Sequence, residues 1–355
     1  MAKVDDAQGV EARIAALEQL GRVMAAIGEA LPWPGHAIGL GRAEYGALDD
    51  VVRDAQVHNG WATEANVRHA FTAWAGALEG AGPWLAAYPG LKDARKARTV
   101  GLVLAGNVPL VGLHDVLCVV AAGHRAVVKC SSQEPRLLPA LMAVLDRFLP
   151  GTAQRITFTT GKWGPVDAVI ATGSTNTARY FEHYFGHLPR IVRKGRVGVA
   201  VLDGTETDAE LAALGEDVFR YFGLGCRNVA KVHLPQDFDL DRLFAAFYPW
   251  HEVALHRKYG NNLDYHRALW LLDRIPFLEN GFLLMREAKE LHSPTAALHY
   301  ERHADRAGAE GRLHDHADAV QCIVGHGHVP FGRSQFPALH DYADGVDTMR
   351  FLLGL

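Results

Sequence analysis

Four short apolar runs between residues 99 and 172 constrain the fold of this chain more than any other feature. Thr99 to Ala105 ends at Gly106, Arg125 to Lys129 follows, then Arg155 to Phe158, then Ala168 to Thr172, which ends at Gly173. Helical patterns fill Val111 to Ala122, Pro135 to Leu149 and the stretch after Gly173. A strand covered on both faces reads as a continuous apolar run, and strands alternating with helices imply βαβ units. The expectation is an α/β fold with a doubly wound, mostly parallel sheet. Val197 to Leu202 is expected to add a further strand to it.

The flanks read differently. Residues 9–30 carry Val10, Ile14, Leu17, Leu20, Val23 and Met24 at helical spacing, and residues 64–88 form a second helical region. From Thr207 onward a second α/β domain is expected. It has a helix over Ala209 to Tyr221, a strand over Val229 to Leu234 and a helix over Leu240 to Phe247, with strands over Ala296 to Tyr300 and Ala319 to Val324. The domain boundaries read as 1–204 for the helical region with the first sheet, 205–325 for the second domain, and 326–355 for a segment returning to the first.

A chain of 355 residues is long enough for two such cores. Its formal net charge of -4 supplies no basic face, so no nucleic-acid partner is expected. Asp5, Asp6 and Glu11 stand where a secretory signal would have an apolar region, and Val116 to Ala122 is too short to span a bilayer. Four scattered cysteines form neither a disulfide framework nor a metal set, which points to a reducing, cytoplasmic setting. The pairs His314/His316 and His326/His328 are spaced by two and have no cysteine nearby. They read as solvated loop histidines, and no metal is expected.

Three motifs sit where strands end, and a fourth follows a helix. Asn107 follows the first strand and precedes Val108-Pro109; its amide can donate to a developing oxyanion or simply serve a turn. Lys129 ends the second strand, pointing at a ligand crevice or snorkelling to water. Gly173-Ser174-Thr175 joins the fourth strand to a helix, a turn that caps the helix or receives a phosphate. Cys226 lies between Gly225 and Arg227, as a reactive thiol or a small buried hydrophobe. Cys118 and Cys322 lie in apolar segments and read as packing, and Cys130 reads as lining a crevice without reacting.

Together and in this order, the motifs resemble the aldehyde dehydrogenase superfamily. Asn107 matches its oxyanion-hole asparagine, Lys129 the lysine that contacts the adenosine ribose, Gly173-Ser174-Thr175 the turn at the cofactor pyrophosphate, and Cys226 the nucleophile. Glu290-Leu291-His292-Ser293-Pro294 is similar to the family's E-x-F-G-P segment, whose glutamate holds the nicotinamide ribose. Pro330-Phe331-Gly332 resembles its late P-F-G segment. The matches run from about residue 99 to 335. The stretches around Asn107, Lys129 and Cys226, and Tyr342 to Met349 near the C-terminus, are closer to one branch, the LuxC-like acyl-CoA reductases.

One departure bears on the reaction. The family's deacylating glutamate lies in an L-E-L-G-G segment, where this chain has Val192-Arg193-Lys194-Gly195-Arg196. Without that base, water is poorly activated against an acyl-enzyme. The resemblance therefore implies an NADPH-dependent reductase that takes an acyl-CoA thioester, long-chain in this branch, to the aldehyde through an acyl-Cys226 intermediate. NADPH is expected over NADH because Ser132 stands where NAD-preferring relatives place a glutamate, which would repel a 2′-phosphate. Glu134, two positions on, could restore that carboxylate. A reductase of an acyl phosphate or carrier-protein thioester is an alternative within the fold. A redox-inactive acyl-transfer or acyl-binding protein on the same fold is an alternative of another class. Self-association into a homo-oligomer is a further implication of the resemblance.

Overall fold

A computed structural model describes residues 9–93, 96–173 and 175–355. The chain divides into two compact units, Met1–Lys194 with Phe336–Leu355, and Gly195–Gln335.

The first unit opens with α1 (Val10–Gly28), α2 (Arg42–His58), α3 (Glu64–Leu78) and α4 (Ala81–Ala86). Leu17, Leu20, Met24 and Ile27 recur at three- and four-residue spacing along α1 and are buried with Phe71 and Leu78 of α3. The helical region expected over 64–88 consists of two helices, α3 and α4, separated at Glu79 and Gly80. The sheet follows: β1 (Thr99–Val103), α5 (Leu113–Ala121), β2 (Arg125–Lys129), α6 (Leu137–Phe148), α7 (Thr152–Arg155), β3 (Ile156–Phe158), β4 (Ala168–Thr172), α8 (Thr175–Tyr184) and β5 (Arg190–Arg193). Its five strands are all parallel, in the order β3-β2-β1-β4-β5. The order reverses at β1, and Val103 pairs with both Lys129 and Ala171. The loops that leave β1, β2 and β4 therefore emerge side by side, where open α/β sheets bind ligands.

The second unit contains β6 (Val197–Val201), α9 (Asp208–Phe219), β7 (Val229–Pro235), α10 (Leu240–Phe247), α11 (Arg257–Leu272), β8 (Leu278–Glu279), β9 (Leu284–Glu287), β10 (Ala297–His303), α12 (Arg306–Asp315) and β11 (Val320–Val324). The chain ends with α13 (Thr348–Leu353) in the first unit. The second sheet has the order β11-β6-β7-β10-β9-β8, parallel except for the short edge strand β8. β6 thus pairs with β7 and β11 and does not extend the first sheet as expected. Its alternating valines are buried on both sides, so local pattern alone could not say which sheet it joins.

One core of this unit packs Leu211, Leu214 and Phe219 of α9 and Leu243 and Phe247 of α10 on Val232, Leu234, Met285 and Leu298. In another cluster Val197, Val199 and Val201 meet Leu313 of α12. Register places Lys231 opposite Val199 and His299, and His233 opposite Val201 and Glu301. Lys231 Nζ donates to the Lys289 carbonyl at 2.8 Å and pairs with Glu301 at 2.5 Å. His233 is 2 % exposed, and neither ring nitrogen has a hydrogen-bond partner. Burial, reinforced by Lys231, pushes its pKa down to about 4.

That depression fixes the sign of a pH effect. A buried neutral histidine leaves folding undisturbed above its unfolded pKa of about 6.5, and stability is lost as pH falls from there toward 4. At pH 5 this group alone costs about 2 kcal/mol relative to pH 8. His233→Phe is expected to narrow the gap between urea midpoints at pH 8 and pH 5. An unchanged gap would show that the titration lies elsewhere.

Candidate active site

In the first unit the site is built from three strand ends. Lys129 closes β2 with its side chain exposed and its carbonyl accepting from Leu104 N–H at 3.1 Å. Ser132 and Asn107 are both exposed, in the loops that follow β2 and β1. The two loops meet at Gly106. A Cβ there would lie 2.5 Å from both Cβ and Oγ of Ser131, so only glycine permits the approach. Asn59, buried, donates its amide to the Gly106 carbonyl at 3.0 Å and holds the loop from the other side. Gly173 lies between β4 and α8, its N–H donating to the Arg193 carbonyl at 3.4 Å. Thr175 begins α8, and Ser174 lies outside the described residues. The sheet thus brings Asn107, Lys129, Ser132, Gly173 and the start of α8 to one edge.

Glu134 does not join that edge. It is 9 % exposed, and its carboxylate accepts from Leu137 N–H at 2.9 Å, capping α6 from within. Burial pushes its pKa up to about 7. Cys130, beside it, is pushed up to about 12 by burial and by Glu134, which leaves it a thiol at neutral pH.

Arg193 ends β5 at 4 % exposure. Its guanidinium pairs with Asp115 of α5 at 2.7 Å and donates to Thr348 Oγ1 at 2.9 Å and the Ala343 carbonyl at 2.5 Å. Arg193 is therefore a structural cation, tying α5 and α13 to β5.

In the second unit Cys226 is exposed, in a turn between α9 and β7. The approach to it is strained: Tyr221, Phe222 and Gly223 have φ of 55°, 59° and 74°. Phe222 stacks on His256 with ring centroids 4.2 Å apart. Beneath the turn, a Cβ on Gly198 would lie 2.7 Å from the Arg227 carbonyl oxygen, so β6 passes close only because residue 198 is glycine. Arg227 Nε donates to the Ser334 carbonyl at 2.5 Å. Asp217 of α9, fully buried, accepts from Gly332 N–H at 2.6 Å and Ser334 N–H at 2.8 Å. This bond anchors the Pro330-Phe331-Gly332 segment to the helix that leads to Cys226. Sequence reasoning missed Asp217 and Asn228. Their signal is a polar residue beside Val218-Phe219 and another at the start of an apolar strand.

Glu290 lies exposed between β9 and β10, 3.6 Å from Arg286. Its own backbone N–H, then Arg286, holds its carboxyl below the ordinary range. His314 and His316 are exposed as expected, though His314 lies in the last turn of α12 and not in a loop. His326 and His328 do lie in the loop after β11, His326 half-buried and His328 exposed, but both are paired with carboxylates. His326 bridges Asp203 at 2.9 Å and Glu210 at 3.0 Å, and His328 meets Glu310 at 2.9 Å. The two carboxylates raise the pKa of His326 and favour an imidazolium. Asp203, Glu206 and His326 offer ligand atoms within 4.8 Å of one another. Arg306 also pairs with Asp203, and Glu206 accepts from the N–H groups of Asp203 and Gly204, so the protein itself supplies partners to both carboxylates.

No family model matches the sequence, and no curated protein matches it. Solved structures do match over most of the chain. An NADP-dependent enzyme from E. coli aligns with a TM-score of 0.61 at 16% identity, covering 90% of this chain and 73% of that one. Aldehyde dehydrogenase 21 from Physcomitrella patens, solved with its reaction product succinate, aligns at 0.60 and 12% identity, covering 92% and 78%. An aldehyde dehydrogenase from Brucella melitensis biovar abortus 2308 aligns at 0.62 and 13% identity, covering 90% and 72%. At these identities the likeness is one of architecture, and the chain has the aldehyde dehydrogenase fold.

Proposed function

We propose that this protein is an NADPH-dependent acyl-CoA reductase, similar to the LuxC-like branch, acting on a long-chain thioester in the cytoplasm. The observation that carries the reading is Arg193. The segment that supplies a deacylating carboxylate in the resembling family here supplies a buried cation already committed to Asp115. An acyl-cysteine without that base is a poor target for water and a good one for hydride.

In this reading the thiolate of Cys226 attacks the thioester carbonyl, and the oxyanion collapses with departure of the CoA thiol. The main-chain N–H of Cys226 steadies the oxyanion, and Asn107 keeps the donor role the resemblance gives it. NADPH, when bound, supplies the hydride that reduces the acyl group. The resulting thiohemiacetal releases aldehyde and returns the Cys226 thiol. The first unit would hold the coenzyme and the second the nucleophile. Lys129 and Ser132 would face the adenosine ribose, Gly173, Ser174 and Thr175 the pyrophosphate, and Glu290 the nicotinamide ribose. The fit is supported by the glycine-dependent contact of Gly106 with Ser131 and by the exposed Lys129 cation. Self-association of the chain is part of the same proposal.

The reading is tested by NADPH oxidation across acyl-CoAs of increasing length, with aldehyde as the product. Oxidation of aldehyde to free acid at a higher rate than thioester reduction would overturn it. Coenzyme choice is tested separately. Glu134 is turned into the protein to cap α6, which supports leaving Ser132 as the residue at the ribose. Ser132→Glu is expected to raise the KM for NADPH at least about tenfold more than that for NADH, the size of one charge repulsion near 1.4 kcal/mol. An unchanged ratio would remove Ser132 from the coenzyme site.

A further inference from the structure

The turn carrying Cys226 is closed by one buried side chain. Asn228 is 2 % exposed. Its Oδ1 accepts from Gly225 N–H at 2.8 Å, and its main-chain N–H donates to the Gly225 carbonyl at 3.0 Å. Its Nδ2 donates to the carbonyls of Arg220 at 2.8 Å and Asp217 at 3.0 Å. The amide thus spans the whole left-handed stretch of Tyr221, Phe222 and Gly223, holding the end of α9 with one side and the residue before Cys226 with the other. A non-glycine residue in that region is strained and persists only where its surroundings over-determine it.

An amide is the group this place requires. It offers one acceptor to Gly225 and donors to two carbonyls in one plane. Aspartate keeps the shape but loses the donors, and alanine loses every one of these bonds. A buried main-chain group deprived of its partner drives the loop to another conformation. The first group to turn with it is the next peptide, that of Cys226.

We propose that Asn228 is a positioning residue for the reaction, whose amide fixes the direction of the Cys226 main-chain N–H and thereby the rate of acyl transfer to the thiol. The proposal rests on the reading of Cys226 as the nucleophile. Asn228 itself touches neither substrate nor coenzyme in this account. Its loss removes stabilisation of the oxyanion, which forms whenever a nucleophile adds to the acyl carbonyl, and leaves the exposed sulfur in place.

The test uses 4-nitrophenyl acetate, which acylates a cysteine with loss of 4-nitrophenolate and needs neither coenzyme nor CoA. Iodoacetamide is the control, because displacement of iodide by the thiolate builds no oxyanion. For Asn228→Ala the acylation burst is expected to slow about 100-fold, the effect of losing one oxyanion donor. Alkylation of Cys226 should stay within about threefold of wild type. Asn228→Asp, which preserves shape, should be slow at neutral pH and partly recover as pH is lowered and the new carboxyl regains a proton to donate. Parallel loss of acylation and alkylation, or no loss of either, in folded Asn228→Asp would overturn the proposal. Wild-type protein acylated at Cys226 by the nitrophenyl ester but not by any acyl-CoA would refute the thioester reading and leave the Asn228 result standing. Acylation by neither would overturn both.

Discussion

Cys226→Ala is expected to lower NADPH-dependent thioester reduction by at least about 10⁴-fold, because every later step acts on the acyl group held by that sulfur. Among the four cysteines only Cys226 is exposed. Cys118 is buried in α5, and its pKa is raised well above the ordinary value by burial. Cys130 is a thiol at neutral pH by the same cause. Cys118→Ala and Cys130→Ala should therefore leave turnover within a few-fold and change only the unfolding midpoint. Intact-mass analysis after acyl-CoA treatment should show one acyl group, absent in Cys226→Ala. An acyl adduct on a different cysteine, with turnover surviving Cys226→Ala, would sink the assignment.

The second large effect lies in stability. Arg193→Ala should destabilise the first unit by about 3–5 kcal/mol, because Asp115 is left in the interior without its cation. The charge pair also organises neutral partners: Arg193 donates to Ala343 and Thr348, so the segment leading into α13 should loosen with it. Replacing both charges, Arg193→Leu with Asp115→Leu, should recover most of the loss, since the cost comes from one orphaned charge and not from the absence of a bridge. Urea unfolding of the two single variants and the double variant measures this. A double variant as unstable as Arg193→Ala would place the stabilisation in the bonds to Ala343 and Thr348 instead.

Much of this architecture can be read in the chain. β1, β2 and β4 are legible because strands buried on both faces leave near-continuous apolar runs, each closed by a polar or glycine residue. β5 is not, because Ile191-Val192 is a two-residue apolar signal with an arginine at each end, as suits an edge strand. α2 was legible in principle, with Tyr45, Leu48, Val52 and Ala55 at helical spacing, yet its polar remainder hid it. α11 inverts the usual pattern. Its inner face is Tyr259, Leu263 and Trp270, while Tyr265, Leu269 and Leu272 are exposed, so no single apolar stripe announces it.

The site divides in the same way. Asn107, Lys129, Gly173 and Cys226 each sit at the end of an element, where the pattern changes and the eye is drawn. Asn228, Asp217 and Asn59 act on main-chain groups of loops whose dihedral angles are set by the whole unit, so a polar residue beside an apolar run does not by itself say which loop it holds. Glu134 shows the converse. As sequence it is a carboxylate two residues from Ser132, and only the path of the chain into α6 turns it inward.

The central claim is that Cys226 forms an acyl-enzyme which this chain does not pass to water. The most direct measurement is a single-turnover experiment with acyl-CoA in the absence of NADPH, followed by intact mass and by free acid released. The account predicts stoichiometric acylation of Cys226, release of one CoA per chain, free acid appearing at least about 100-fold more slowly than acylation, and prompt conversion of the adduct to aldehyde when NADPH is added. Rapid release of free acid over many turnovers, dependent on Cys226 and indifferent to NADPH, would contradict it.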